Sequence, residues 1–202
     1  MAVPFVALVF LLMAVGCSAD APTAPDSSDV FSFTIQRAEE AGADESQLEI
    51  LRNAQDARVL EFSDYLEAEN NAVACIVAAG IDVQISDVQT VRGAQVRSFT
   101  FQESPDYTES QLLALVDDCE TRFRVFVLDL QVNQPQSVEN FATLIEGDRH
   151  AIEACLQELG ADDEVGSMSA LELFDASLSA MSLAFENGET ARDCVAESGI
   201  AY

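Results

Sequence analysis

Four cysteines, Cys75, Cys119, Cys155 and Cys194, constrain this 202-residue chain more than any other feature. An even set in an exported chain reads as disulfides, and no CxxC pair offers the spacing of a zinc site or a thioredoxin-type redox centre. Four cysteines allow three pairings, and sequence alone does not choose among them. Three of them are followed five residues later by glycine: CIVAAG at 75–80, CLQELG at 155–160 and CVAESG at 194–199. Each segment reads as the end of a helix, with cysteine turned inward and glycine as the left-handed residue past the end. The order helix–Cys–Gly, connector, helix–Cys runs once through 63–130 and again through 137–199. Read as two stapled units, the chain pairs Cys75 with Cys119 and Cys155 with Cys194, each closing a loop worth about 4 kcal/mol in the chain-entropy model. Crossed bridges or free buried thiols are the alternatives.

The first seventeen residues read as an address. Residues 2–15, AVPFVALVFLLMAV, are unbroken apolar sequence, shorter than the about 20 residues a helix needs to span a bilayer. They suit the apolar region of an export signal, with small residues Ala14 and Gly16 before a cut. Ala14-Val15-Gly16-Cys17 resembles the lipobox of bacterial lipoproteins, which implies cleavage before Cys17 and lipid attachment to it. A plain secretory signal, or a transmembrane anchor with Cys17 incidental, is the alternative. Residues 18–30, SADAPTAPDSSDV, show no apolar period and carry two prolines, so a flexible tether is expected.

Charge excludes one class of partner. There are 36 acidic residues against 9 basic ones, all arginine, for a formal charge of −27. Such a field repels nucleic acid and anionic membrane surfaces, so contact with a membrane would have to come through the N-terminal lipid. Nearly half of the residues are apolar, which sets the chain apart from charge-rich disordered sequences.

Periodicity after the tether is mostly helical. A short helix is expected over 44–53, then one capped by Ser63 and running to Ala79, with Tyr65, Ala68, Ala72, Cys75 and Ala79 on one face. Residues 82–87 and 96–101 alternate apolar with polar around the connector QTVRG and read as a two-stranded ribbon. Tyr107 to Val132 reads as one long helix, with Leu112, Leu115, Val116, Cys119, Phe123, Phe126, Val127 and Leu130 along a single stripe. QVNQPQ at 131–136 marks a unit boundary. Ser137 is then expected to cap a helix carrying Phe141, Leu144, Ile145, Ile152, Cys155, Leu156 and Leu159 inward. A further helix carries Leu171, Phe174, Leu178 and Met181, and Gly188 opens the last. The fold class is mainly α (α+β): disulfide-stapled helices with one small two-stranded β ribbon, in an order that allows two related helical units. The expected division is 1–16 signal peptide, 17–43 lipidated Cys17 and flexible tether, 44–134 first helical unit with the ribbon, and 135–202 second helical unit.

Chemistry is sparse. His150 is the only imidazole, and its position relative to Phe141 puts it on a solvated helix face. No GxSxG, HExxH, Walker-type or GxGxxG pattern is present. Among 36 carboxylates close pairs arise by chance, so none stands out as a glycosidase-type pair. Asp162-Asp163-Glu164 and residues 186–193 offer oxygen ligands for calcium without matching an EF-hand loop, and solvated turns are the simpler reading. No catalytic, cofactor-binding or metal-ligating residue is assigned, and no cofactor is expected.

QLEIL at 47–51, FSDYLEAENNAVACIVAAGIDV at 62–83, and the Cys119 segment running to VFVLDLQ are similar to uncharacterised lipoproteins and secreted proteins of actinobacteria. Tyr65, Cys75, Gly80 and Cys119 stand at the positions of their Tyr…Cys-x4-Gly…Cys pattern. The resemblance covers roughly 44–131 and implies a cell-envelope location and paired cysteines, but no activity. The expectation is therefore an exported acidic domain anchored by lipid to the outer face of the bacterial cell membrane. It leans away from catalysis and toward binding an envelope protein or small ligand, or a structural role. A carboxylate-based hydrolase acting on envelope glycans is the alternative.

Overall fold

The structure is a computed structural model that describes residues 30–102, 106–161, 163–187 and 190–202. Cys17 and the expected signal at 1–16 lie outside the described residues, as do Asp162 and Gly188. Among the described residues no helix is long and apolar enough to cross a membrane.

The chain begins with α1 (Val30–Ala41), α2 (Glu45–Ala57) and α3 (Phe62–Ala78). Residues 30–41 are therefore not tether. Phe31, Thr34 and Ala38 recur at helical spacing and are buried, so the first turns of core begin fourteen residues before the expected unit. Asp44 caps α2 by accepting the Ser46 amide at 3.0 Å. Helix α3 starts one residue before Ser63, and its cap position is Glu61, which makes no side-chain cap bond. Ala68 and Ala72 are fully buried, and this small-residue face lets the next long helix approach to a Cα–Cα distance of 5.8 Å at the Cys75–Cys119 disulfide.

The ribbon is present and extends further than its expected strands. Strand β1 (Val83–Ile85) pairs antiparallel with β4 (Phe99–Phe101), and the connector itself folds into β2 (Gln89–Val91) and β3 (Ala94–Val96). Between the registers Ile85↔Phe99 and Gln89↔Val96, Ser86, Asp87 and Val88 on one side face Arg97 and Ser98 on the other. One residue is extra, so the ribbon is bulged there.

The expected single helix over 107–132 is two: α4 (Glu109–Phe123) and α5 (Val125–Asn133), broken at Arg124 with φ −138° and ψ −43°. The side chain of Gln47, fully buried on α2, fills the break. Its Nε2 donates to the Thr121 carbonyl at 3.0 Å, and its Oε1 accepts the Phe126 amide at 3.0 Å. One amide thus serves an end carbonyl of α4 and a first amide of α5, groups that helix ends leave unpaired.

The second half holds α6 (Pro135–Gly147), α7 (Arg149–Glu158), a 3-10 turn (Asp163–Ser167), α8 (Ala170–Glu186) and α9 (Cys194–Glu197). Ser137 is no cap here: Pro135 occupies the first turn of α6, and the buried Ser137 hydroxyl donates to the Gln131 carbonyl at 2.7 Å. The inward stripe of 141–159 is split at Asp148, which leaves Leu144 and Leu159 each 40% exposed. The last helix is a single turn beginning at Cys194. Both disulfides join as the two-unit reading has them, Cys75–Cys119 and Cys155–Cys194, and the glycine after each Cys-x4 run has positive φ (82°, 89° and 91°).

Apolar side chains gather in three clusters. The first joins α1, α2, α3 and α5 around Leu51, Tyr65, Val127 and Leu130. The second joins α3, α4 and the ribbon around Ile76, Ile81 and Cys119. The third holds α6 to α9 around Phe141, Ile152, Leu173 and Val195. None of these clusters continues across the Gln134–Pro135 junction.

Candidate functional site

That junction carries a groove of about 580 Å³. It follows from the sequence QVNQPQS. A residue before proline avoids the α region, so Gln134 is extended (φ −64°, ψ 152°) and α5 and α6 part there. Its side chain turns into the protein. Gln134 Oε1 accepts the Leu60 amide at 2.9 Å and Nε2 donates to the Leu60 carbonyl at 3.2 Å, pairing both main-chain groups of the α2–α3 connector. Gln131 Nε2 donates to the Gln95 carbonyl of β3 at 3.0 Å. Gln131 and Gln134 are each 4% exposed, and burial at that level requires partners for their amides.

The opposite wall is the tip of the ribbon. Arg92 and Gly93 both have positive φ (49° and 72°), the signature of the two-residue turn that matches strand twist. A Cβ on Gly93 would lie 2.4 Å from Ser137 O and Phe141 N of α6, so glycine is required there for space as well as for φ. The Arg92 amide donates to the Ala201 carbonyl at 3.0 Å, and Asn140 Nδ2 donates to the Gly93 carbonyl at 3.2 Å. The Arg92 guanidinium lies 5.9 and 5.7 Å from the ring centroids of Phe141 and Phe174, within cation–π reach. The ribbon of the first unit is thereby clamped onto the aromatic core of the second, and the groove is the space beside this clamp.

Its floor is Leu60, Ala94, Gln131, Gln134 and Ser137, all buried. Exposed hydroxyls and amides of Thr90, Gln95, Gln136, Asn140 and Thr143 form the rim, with apolar surface from Val59, Phe62 and Leu144. None of the lining residues is ionisable, in a chain with 45 charged residues.

Charged groups gather elsewhere. Fully buried Glu69 accepts from Arg97 Nε at 3.0 Å, and Arg97 also reaches Asn70 Oδ1 at 2.6 Å. A recess of about 440 Å³ beside α4 is lined by Asp117 and Glu120, and the Glu120 carboxylate is already tied to Arg124. The Cys155–Cys194 bridge lines a recess of about 220 Å³ with Arg192, which is held by Glu158 and Glu197 at 2.9 and 2.7 Å. His150 has a fully exposed side chain 3.8 Å from Glu153, as its helical position implies. Among the described residues no group of three or more His, Cys, Asp or Glu side chains is arranged to hold a metal. The calcium candidates lie partly outside the described residues.

The structure thus brings four of the five cysteines together in two pairs, neither of which lines the groove. Of the groove residues, Gln131, Gln134 and Gln136 read in the sequence only as a unit boundary, Thr90 and Gly93 as ribbon connector, Ser137 as a helix cap and Leu144 as an inward residue. The available signal was three glutamines flanking one proline, amides in a segment too short to be a tether. No family model, curated protein or solved structure matches this chain.

Proposed function

We propose that the protein is an exported, lipid-anchored domain of the bacterial cell envelope that binds a ligand in the groove between its two stapled units. The observation that carries the binding half is the groove itself: concave, built from both units, and rimmed by uncharged polar groups over apolar surface, the usual composition of a ligand site. Its lining holds no carboxylate, so it lacks the pair that hydrolysis of a glycan would use. Two disulfides are consistent with an oxidising, exported location. The anchoring half rests on residues 1–17 and on the resemblance of 44–131 to actinobacterial envelope proteins.

Each half has its own experiment. With the anchor in place, the wild-type chain takes up labelled fatty acid in cells and Cys17→Ser does not; labelling of both variants alike would remove Cys17 from the scheme. For the groove, thermal melts are run with uncharged envelope fragments, both glycan and peptide. A true ligand raises the melting temperature of the wild type as its concentration exceeds Kd, and Thr143→Arg, on the exposed rim, suppresses the rise. Equal responses from both variants, or none from either, would sink the binding role.

A further inference from the structure

We infer that the ligand of this groove is a short neutral oligosaccharide, an assignment that rests on reading the groove as a binding site. Charge gives the first argument. An anion would be repelled by a chain of net charge −27 and would find no arginine in the groove, and a cation would find no carboxylate there. Either would lose hydration without a counter-charge.

The polar groups give the second. Thr90 and Gln95 are register partners across β2 and β3, so their side chains stand side by side on one face. Neither side chain makes a hydrogen bond to the described residues, and both are exposed on the rim. Beyond them the amides are oriented in a relay: Gln136 Nε2 donates to Asn140 Oδ1 at 3.1 Å, and Asn140 Nδ2 donates to the Gly93 carbonyl. This leaves Gln136 Oε1, on an exposed side chain, without a partner among the described residues. Amides and hydroxyls each offer donor and acceptor capacity, as sugar hydroxyls do. Phe62, Val59 and Leu144 supply apolar surface for the C–H faces of the rings.

An extended peptide fits less well. It would bind by adding to a sheet edge, and the β3 acceptor facing the helices, the Gln95 carbonyl, is already taken by Gln131. About 580 Å³ accommodates a few sugar rings rather than a folded partner.

Side-chain amide NMR provides the test, with the neutral N-acetylglucosamine tetramer and maltotetraose as glycan probes and a blocked uncharged tetrapeptide as control. The expected result is that a glycan shifts the amide signals of Gln95, Gln136 and Asn140. Its affinity should change little between about 50 mM and 1 M salt, because no charge is screened. Thr90→Val and Gln95→Ala, which remove no internal side-chain bond, should each weaken it about tenfold. Shifts with the peptide and none with a glycan would overturn the sugar assignment and leave the binding site standing. No shift in these amides with any probe would overturn both. Glycan binding insensitive to both variants would place the sugar elsewhere and end the proposal.

Discussion

The Tyr65 hydroxyl accepts the Arg97 amide at 3.0 Å and donates to the Arg97 carbonyl at 2.7 Å, so one side chain of α3 serves both main-chain groups of a residue in the ribbon. The Arg97 main-chain groups face the open edge of the ribbon opposite the bulged side, and Tyr65 stands in for the missing strand. One turn on, Glu69 holds the Arg97 guanidinium. The bulge is thereby gripped by α3, which fixes where the ribbon tip meets α6.

Tyr65→Phe keeps the ring and removes this partner. It should lower stability by about 1–2 kcal/mol, the cost of leaving partly buried main-chain groups unpaired. Urea unfolding of the variant should show a lower midpoint with an unchanged slope; an unshifted midpoint would mean that water replaces the hydroxyl without loss.

Gln47→Leu should be among the costlier single changes, at about 2–4 kcal/mol, because it strips the Thr121 carbonyl and the Phe126 amide of the partner that spans the α4–α5 break. Hydrogen exchange localises the effect. The Phe126 amide should exchange faster in the variant, and uniform protection across α5 would count against a capping role.

Gly93→Ala and Gly42→Ala separate space from backbone preference. Both glycines have positive φ (72° and 77°), but only Gly93 has atoms where a Cβ would go. Gly42→Ala should cost about 1–2 kcal/mol, the left-handed penalty alone. Gly93→Ala should cost about twice that and also loosen the clamp onto α6. Equal losses by thermal denaturation would show that α6 yields.

Alkaline pH should destabilise the fold through two phenols. Burial, opposed in part by the bond to Arg97 and aided by Glu69, raises the Tyr65 phenol above its ordinary value. Burial, then Asp193, pushes Tyr202 up to about 12. Unfolded tyrosine loses its proton near pH 10, so the stabilisation is complete below about pH 10 and is lost as pH rises through the raised values. At the acid end the sign reverses: the Ser46 amide, then its hydroxyl, hold Asp44 below the ordinary range, and that contribution is lost as pH falls. Tyrosinate absorbance against pH checks the first; ionisation of every tyrosine at the unfolded value would refute it.

The helices and the glycine after each Cys-x4 run were legible in the sequence because each depends on neighbours a few residues apart, whereas the disulfide partners, 44 and 39 residues apart, were suggested only by the repeated order of helix, Cys and Gly. The hidden parts have a common cause. Helix α1 follows a polar, proline-containing run, and its own stripe of Phe31, Thr34 and Ala38 is short. The break at Arg124 sits inside an uninterrupted apolar period, since what breaks it is Gln47, far away in the chain. Helix α6 opens at Pro135 and not at Ser137, because the Ser137 hydroxyl is spent on the Gln131 carbonyl.

By itself the sequence determined what local chemistry can encode: an apolar run shortly before Cys17, an acidic and mostly helical chain, and three Cys-x4-Gly runs whose order favours bridging within each unit. Only the tertiary structure decided how the two units meet, with the Arg92 amide reaching the Ala201 carbonyl, Asn140 reaching the Gly93 carbonyl and Gly93 pressed against α6. An amide or a glycine carries no periodic signal. Its role is set by which unpaired main-chain group or close backbone the fold brings to it, and the groove at that junction exists only once those meetings are made.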